Sequence, residues 1–533
     1  MSKSFLPSWI HDKGLRSLYL WLPIVIMSSS YQGFDGMIMN GLQILPSWQS
    51  RPVLGLLNSI QTVGAMLALP LITPVVDKFG RRISIFFGAS WTIVGAILQA
   101  SSHHLAQFVI SRFLIGFGLA FTVVGAPLLL AELALPKHRG AIISYYPTSW
   151  YLGAIIAAWV TYGTHKIDNA WSWRIPSLLQ AAPAILQLLL IWFVPESPRW
   201  LISKGRGKQA RDILVKHHAN GDERNAFVEL EYREIKESIE SDASIKEKTG
   251  WLDLVRTAGN RRRLIIVFFA GLFIEISGNG LVQYYLHAVL VSIGITDTTT
   301  QVTINGCLSI YNFVLATIAS LFVEKVGRRK LFIASTAGMF VAFILWTTFA
   351  ALFTTRGGSG YAIGVLVAIF LSNGAYDIGW TPLWAYPAET LSYDIRARGV
   401  TLQTGVMHAF GFFGTFVNPI GLQNAGWKYY IAYIVYTFLE VNLIHKIFSP
   451  YISTPTNTFD QLLVVWYFFV ETKGFTLEEI AVIFDTEGLT WKERRNMKPS
   501  AGSLEALAAS DGGGSVAKDV TEVSAKRVSD ENI

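Results

Sequence analysis

The sequence predicts an all-α membrane protein with twelve transmembrane helices in two pseudo-symmetric six-helix bundles. Three observations carry that expectation. The 533 residues are 51% hydrophobic and only 15% charged, with a mean hydropathy of +0.39, too little polar surface for a chain of this size to live in water. Its apolar segments fall into two sets of six around one charged stretch. A short basic loop motif recurs at matching places in the two sets.

Taken in order, residues 1–17 are short and of mixed polarity, and they lead into an apolar stretch without a small-residue cleavage site. The first segment therefore reads as a retained span rather than a signal peptide. The first bundle, 18–195, holds apolar segments near 18–40, 53–76, 84–101, 105–131, 141–163 and 177–194. Residues 196–262 are rich in Lys, Arg, Glu and Asp and predict a solvated connector with amphipathic helices. The second bundle, 263–474, holds segments near 264–292, 302–323, 331–353, 361–387, 399–420 and 429–470. Each is long enough for the roughly 20 residues that a helix needs to cross hydrocarbon. Residues 475–533 end in a polar, small-residue-rich run that predicts a cytosolic, largely disordered tail.

Basic residues orient the chain. Lys78, Arg81 and Arg82, then Lys137 and Arg139, then Lys325, Arg328, Arg329 and Lys330, then Arg396 and Arg398 occupy alternate loops on the connector's side. The opposite loops carry almost no Lys or Arg, so the connector and both termini are expected in the cytosol. The same scatter accounts for the net charge of +7 without a nucleic-acid face. A single cysteine, Cys307, excludes internal disulfides, and no phosphate loop, metal motif or Ser, His and Asp set is present. ATP-driven pumping and enzymatic catalysis are thus not expected.

The repeated motif is VVDKFGRR at 75–82 and VEKVGRRK at 323–330. Each half also has an acid followed seven residues later by Arg, Glu132 with Arg139 and Glu389 with Arg396. Positive-inside anchoring needs Lys or Arg alone. Acids at fixed spacing predict cytosolic latches that hold the halves together in the outward-facing state, formed by Asp77, Arg81, Glu132 and Arg139 of one half and Glu324, Arg328, Glu389 and Arg396 of the other. Duplicated halves with a site at their interface are the pattern of alternating-access carriers.

With PESPRWL at 195–201, AELALPKHRG at 131–140 and VETKG at 470–474 added, the chain resembles the sugar porter family of the major facilitator superfamily over about residues 15–485. YQGFDGMIMNGLQILPSWQ at 31–49 and SGNGLVQYYL at 277–286 resemble fungal lactose and cellodextrin permeases. The resemblance implies the major facilitator fold in a multi-pass plasma-membrane carrier. It adds Glu196, Arg199 and Glu471 to the latches. It also implies import of a small-molecule sugar, a disaccharide such as lactose or cellobiose or a hexose, with a proton as coupling ion and no other cofactor. The lipid bilayer is the expected surrounding, and no nucleic acid or obligate protein partner is expected, so the chain is expected to act as a monomer. A facilitative sugar or polyol uniporter and a non-transporting sugar sensor of the same fold stand as alternatives.

Asp35 lies inside the first span, where an ionised carboxylate costs several kcal/mol unless it is paired or hydrated. The resemblance places Arg112 of the fourth span opposite it, which makes the two the expected proton-coupling pair. It also implies a sugar site of Glu275, Asn279, Gln283, Tyr284 and Tyr285 in the seventh span, Asn312 in the eighth and Trp384 in the tenth. Three features depart from the family pattern. Pro147 and Met407 stand where hexose carriers have polar contacts, Glu275 is an unusual acid, and residues 441–461 interrupt the last span. Joining 429–440 to 462–470 restores 21 residues, the length of one span. The interruption begins with Val441, encodable from GT, and ends with Gln461, encodable as CAG, while Thr456 and Asn457 can be spelled ACTAAC. A retained intron is the expectation, with a genuine inserted loop as its alternative.

Overall fold

The computed structural model describes residues 12–44, 54–246 and 251–434, apart from 382–383, 385, 387–389 and 392. Every regular element among them is a helix. The first half contains α1 (Lys13–Ile44), α2 (Leu54–Phe79), α3 (Arg81–Ala100), α4 (Leu105–Leu133), α5 (Pro136–Thr148), α6 (Trp150–Thr164), α7 (Trp171–Leu179) and α8 (Ala181–Leu190). The connector contains α9 (Pro198–Ser203), α10 (Gly207–His218), α11 (Ala226–Lys246) and α12 (Asp253–Arg256). The second half contains α13 (Ala258–Ile276), α14 (Asn279–Ser292), α15 (Thr298–Val326), α16 (Arg328–Arg356), α17 (Ser359–Gly379) and α18 (Tyr393–Ala425). The 441–461 interruption, the far end of the last span, the amino-terminal residues 1–11 and the tail lie outside the described residues.

Large apolar side chains face outward as well as inward. Leu67, Phe193, Leu321, Val341, Ile363 and Phe413 are all more than half exposed. Such a surface needs an apolar surrounding, and eight described helical segments are long and apolar enough to cross a membrane. Three expected single spans are segmented. The fifth is divided between α5 and α6 beside Pro147, and the sixth between α7 and α8 at Gln180, close to Pro183, which has no N–H for the preceding turn. The seventh breaks between α13 and α14 at Gly278, whose φ of +90° is left-handed, and a Cβ there would lie 2.2 Å from Phe343 Cζ. Only glycine fits both the dihedral and the space.

Within the first half, α1 packs on α6, and α3 and α2 pack on α4; within the second, α16 packs on α17 and α13 on α18. Gly33 of α1 and Gly153 of α6 bring two backbones together. A Cβ on Gly33 would sit 1.8 Å from the Trp150 carbonyl oxygen, and one on Gly153 would sit 1.6 Å from that of Ser30. The halves meet along α2 against α18, α6 against α15 and α1 against α14. Polar side chains cross these seams. Thr148 Oγ1 is 2.7 Å from Ser320 Oγ, Thr73 Oγ1 is 3.2 Å from Thr401 Oγ1, and Asn40 Nδ2 donates to Asn305 Oδ1 at 3.1 Å.

The connector is attached to the first half by specific bonds. Gly14 N donates to Asn220 Oδ1 at 2.6 Å, and His218 Nε2 meets the Leu133 carbonyl at 3.2 Å while its Nδ1 pairs with Glu231 Oε2 at 2.8 Å. A cationic imidazole is well placed there, because the last carbonyls of α4 have no partners inside the helix. Beneath it, Leu214, Val215, Val228 and Ile235 form the connector's own small core.

Candidate functional site

The site is a cavity of about 190 Å³ at the meeting of the two halves. α1 contributes Ser29, Gln32 and Gly36, α2 contributes Asn58, Gln61 and Thr62, and the broken fifth span contributes Tyr146, Pro147, Trp150 and Tyr151. From the other half come Glu275, Asn279, Gln283 and Tyr284, with Tyr376, Trp380, Thr381 and Trp384, and with Thr404, Met407 and His408 of α18. Amides and hydroxyls interleaved with aromatic faces suit a polyhydroxylated ring, whose edges bond and whose faces stack.

Behind the α2 wall lies a closed ionic cluster. Asp35 and Arg112 are both fully buried and ion-paired through Arg112 Nη1 and Asp35 Oδ1. Gln180 Nε2 also donates to Asp35 Oδ1, and Gln61 Nε2 donates to Asp35 Oδ2. Gln61 Oε1 in turn accepts from Arg112 Nη2. Asp35 and Arg112 do not themselves line the cavity, but Gln61 does. One amide thus touches the acid, the base and the space where a solute would sit. Neither Gln61 nor Gln180 stands out in the sequence, since an amide in an apolar run is ordinary there; only the approach of α2 and of the break between α7 and α8 to Asp35 gives them meaning.

The expected sugar residues divide into two groups. Glu275, Asn279, Gln283, Tyr284 and Trp384 all line the cavity, as do Pro147 and Met407. Glu275 makes no hydrogen bond or ion pair with any described residue, so its carboxylate is available to the cavity; Gly411 leaves room for it, its Cβ position lying 3.0 Å from Glu275 Oε2. Gln283 Nε2 lies 3.4 Å from the Tyr284 hydroxyl. Trp384 stands 6.4 Å, ring to ring, from Tyr146 of the opposite half, and its carbonyl accepts from Gln403 at 3.1 Å. Tyr285 and Asn312 are not in the cavity wall. Tyr285 is buried, its hydroxyl donates to the Thr415 carbonyl, and Asn58 donates to it at 3.3 Å. Asn312 is buried in α15 with an unpartnered Oδ1.

At the end of the molecule that carries the connector, Arg81 pairs with Glu132 at 3.0 Å, joining the start of α3 to the end of α4 inside the first half. Glu196 accepts from the main-chain N–H groups of Arg81 at 3.3 Å and Arg82 at 3.2 Å, closing the first turn of α3. Burial pushes the Glu196 carboxyl above its ordinary value, against the pull of the Ser197 and Arg82 amides and the Arg81 and Arg82 cations. The Asp77 carboxylate is exposed, while its carbonyl accepts from Trp200 Nε1 at 3.0 Å. Arg139 and Arg199 lie near the buried Glu231, Arg328 is buried, and Arg396 donates to the Leu391 carbonyl at 3.0 Å. Glu389, Glu471 and the side chain of Glu324 lie outside the described residues.

A family model described as "Sugar (and other) transporter" matches residues 21–484. The chain belongs to that family. The transporter is 27% identical over 481 residues to the high-affinity glucose transporter of Kluyveromyces lactis, covering 86% of this chain and 83% of that one. It is 27% identical over 414 residues to the sugar transporter STL1 of Saccharomyces cerevisiae, covering 76% and 68%. The solved proton:xylose symporter XylE bound to 6-bromo-6-deoxy-D-glucose matches with a TM-score of 0.73 at 22% identity, covering 89% of this chain and all of that one. That likeness fixes the fold as the twelve-helix, two-bundle arrangement of the major facilitator superfamily. The transporter is therefore a multi-pass membrane carrier and not an enzyme.

Proposed function

We propose that this transporter imports a sugar together with a proton across the plasma membrane by alternating access, with both termini in the cytosol. The observation that carries the proton is the cluster of Asp35, Arg112 and Gln61. Asp35 is fully buried, and its partners include one side chain, Gln61, that also faces the cavity. A sugar hydroxyl that bonds to Gln61 withdraws a donor from Asp35 and an acceptor from Arg112. Loosening the pair favours the protonated acid, so sugar and proton load together. When the halves rock and water reaches Asp35 from the cytosol, the proton leaves and the ion pair re-forms. Pro147 and Met407 stand in the cavity wall in place of two polar contacts of hexose carriers, and with the resemblance of residues 31–49 and 277–286 to lactose and cellodextrin permeases this supports a disaccharide such as lactose or cellobiose.

Uptake of labelled lactose, cellobiose and glucose in cells without their own carriers, with external pH recorded, tests this reading. Alkalinisation of an unbuffered medium on addition of the accepted sugar is the expected result. Uptake without a pH change would make the carrier a uniporter.

A further inference from the structure

Asp377 of α17 is fully buried and belongs to neither the ionic cluster nor the cavity wall. Its Oδ1 accepts from the Tyr151 hydroxyl at 2.5 Å and from Thr381 Oγ1 at 2.9 Å. Its Oδ2 has no hydrogen-bond partner. Tyr151 belongs to α6 in the first half and Asp377 to α17 in the second, so this bond crosses the molecule. Both donors, Tyr151 and Thr381, line the cavity. A carboxyl group this deep, held by two neutral hydroxyls and with one oxygen unpartnered, is costly to keep in a protein interior.

We propose that Asp377 is a positioning residue for transport: it draws the Tyr151 hydroxyl of the opposing half and the Thr381 hydroxyl of its own half to one point, tying the halves shut around the cavity. When the halves separate, Tyr151 must leave Asp377. The tie holds in the state the structure shows, and it weights that state by its own strength against any in which Tyr151 and Asp377 part. A buried hydrogen bond between neutral groups is worth about three- to tenfold in such an equilibrium. Tyr151 and Thr381 serve solute and closure with the same hydroxyls, and Asp377 acts on the solute only through them.

The test needs no assumption about which sugar is carried. In the full-length protein with Cys307→Ser, Met407→Cys places one thiol in the cavity wall, and a water-soluble maleimide added to purified protein reads how often the cavity is open. Tyr151→Phe, which keeps the ring and removes only the donor, is expected to speed labelling about three- to tenfold. Asp377→Ala should do the same, the double variant should be no faster than either single one, and Asp377→Asn, which keeps an acceptor oxygen, should label more slowly than Asp377→Ala. Unchanged labelling in Tyr151→Phe, or effects of the two single variants that simply multiply in the double one, would overturn the proposal. Because the readout involves neither sugar nor proton, a failure here is distinct from a failure of the symport reading.

Discussion

At the scale of single residues, the buried acids differ in how well they are answered. Asp35 has Arg112, Gln61 and Gln180, whereas Glu275, half-buried, faces the cavity without a partner among the described residues. Replacing Asp35 by Asn keeps the shape and two of the hydrogen-bonding positions while fixing the neutral form. Asp35→Asn is accordingly expected to lose uphill accumulation altogether and to retain sugar exchange, measured as counterflow in vesicles without a proton gradient. Concentrative uptake at the parent's level would remove Asp35 from the proton path. Trp384 offers the cavity a flat face next to Tyr146. Loss of that face in Trp384→Ala should raise the KM for the carried sugar about tenfold at equal surface expression, in line with about 1.5 kcal/mol for an aromatic contact. An unchanged KM would return the ring to a packing role.

At the scale of elements, the connector carries the most definite pH-sensitive contact outside the membrane. Burial pulls the His218 imidazole down, but the Glu231 carboxylate and the Leu133 carbonyl outweigh it and leave the group above its ordinary 6.5. Burial pushes Glu231 up, and the His218 cation, with Arg139 and Arg199, brings it below its ordinary 4.5. The raised imidazole stabilises the fold fully below 6.5 and loses that contribution as pH rises through its folded value. The lowered carboxyl stabilises fully above 4.5 and loses it as pH falls through its own. Between these limits both contributions are complete. His218→Gln should thus take the hydrogen-bonded cation from the buried Glu231 and leave it to Arg139 and Arg199, costing about 2 kcal/mol. It should also remove the alkaline loss of protection, both read by hydrogen exchange of α10 and α11. Equal protection in parent and variant from pH 6 to pH 9 would show that the pair is idle. This pair was not legible in the sequence, because His218 and Glu231 sit 13 residues apart on separate helices among many charges. The spans were legible, since hydrocarbon demands an uninterrupted apolar run and leaves a plain trace. The break at Gly278 was not, because Ser-Gly-Asn inside an apolar run reads equally well as continuous helix.

At the scale of the whole molecule, two bundles around a central cavity followed from the loop repeat at 75–82 and 323–330, since a duplication in sequence implies one in space. The cavity's lining was half legible. Glu275, Asn279, Gln283, Tyr284 and Trp384 came from motif positions, whereas Gln61, Tyr151 and His408 reach the wall only through helix packing that no local pattern encodes. Asp377 was missed for another reason: it lies inside the expected span 361–387, but no motif position singles it out, and its partner Tyr151 is brought to it only by packing. The last span remains a matter for messenger RNA. Retaining 441–461 would leave apolar pieces of about 12 and 9 residues, each too short for roughly 30 Å of hydrocarbon, with His445, Lys446 and Pro450 between them. Amplification of the transcript from the codon for Trp427 to that for Gly474 is expected to give a product lacking these codons, and uptake by the shortened protein should exceed that of the long form. A long product in most messages would establish the insertion as a genuine loop.

The glycine contact between α1 and α6 sets a limit on which parts of this protein can vary. At Gly33 and Gly153 the neighbouring atoms are main-chain carbonyl oxygens, which every amino acid carries in the same place, so no change at Trp150 or Ser30 can make room for a side chain. Compensation by a second substitution is closed off. The seams between the halves are built the other way, from hydroxyl and amide tips such as Thr148 with Ser320 and Asn40 with Asn305, where one partner's change can be answered by the other's. In a saturation library selected for uptake, Gly33 and Gly153 should tolerate nothing in any background, while the seam positions should accept paired exchanges that fail singly. The two kinds of contact would then appear as two kinds of inheritance: one residue fixed by geometry, the other free to drift in company.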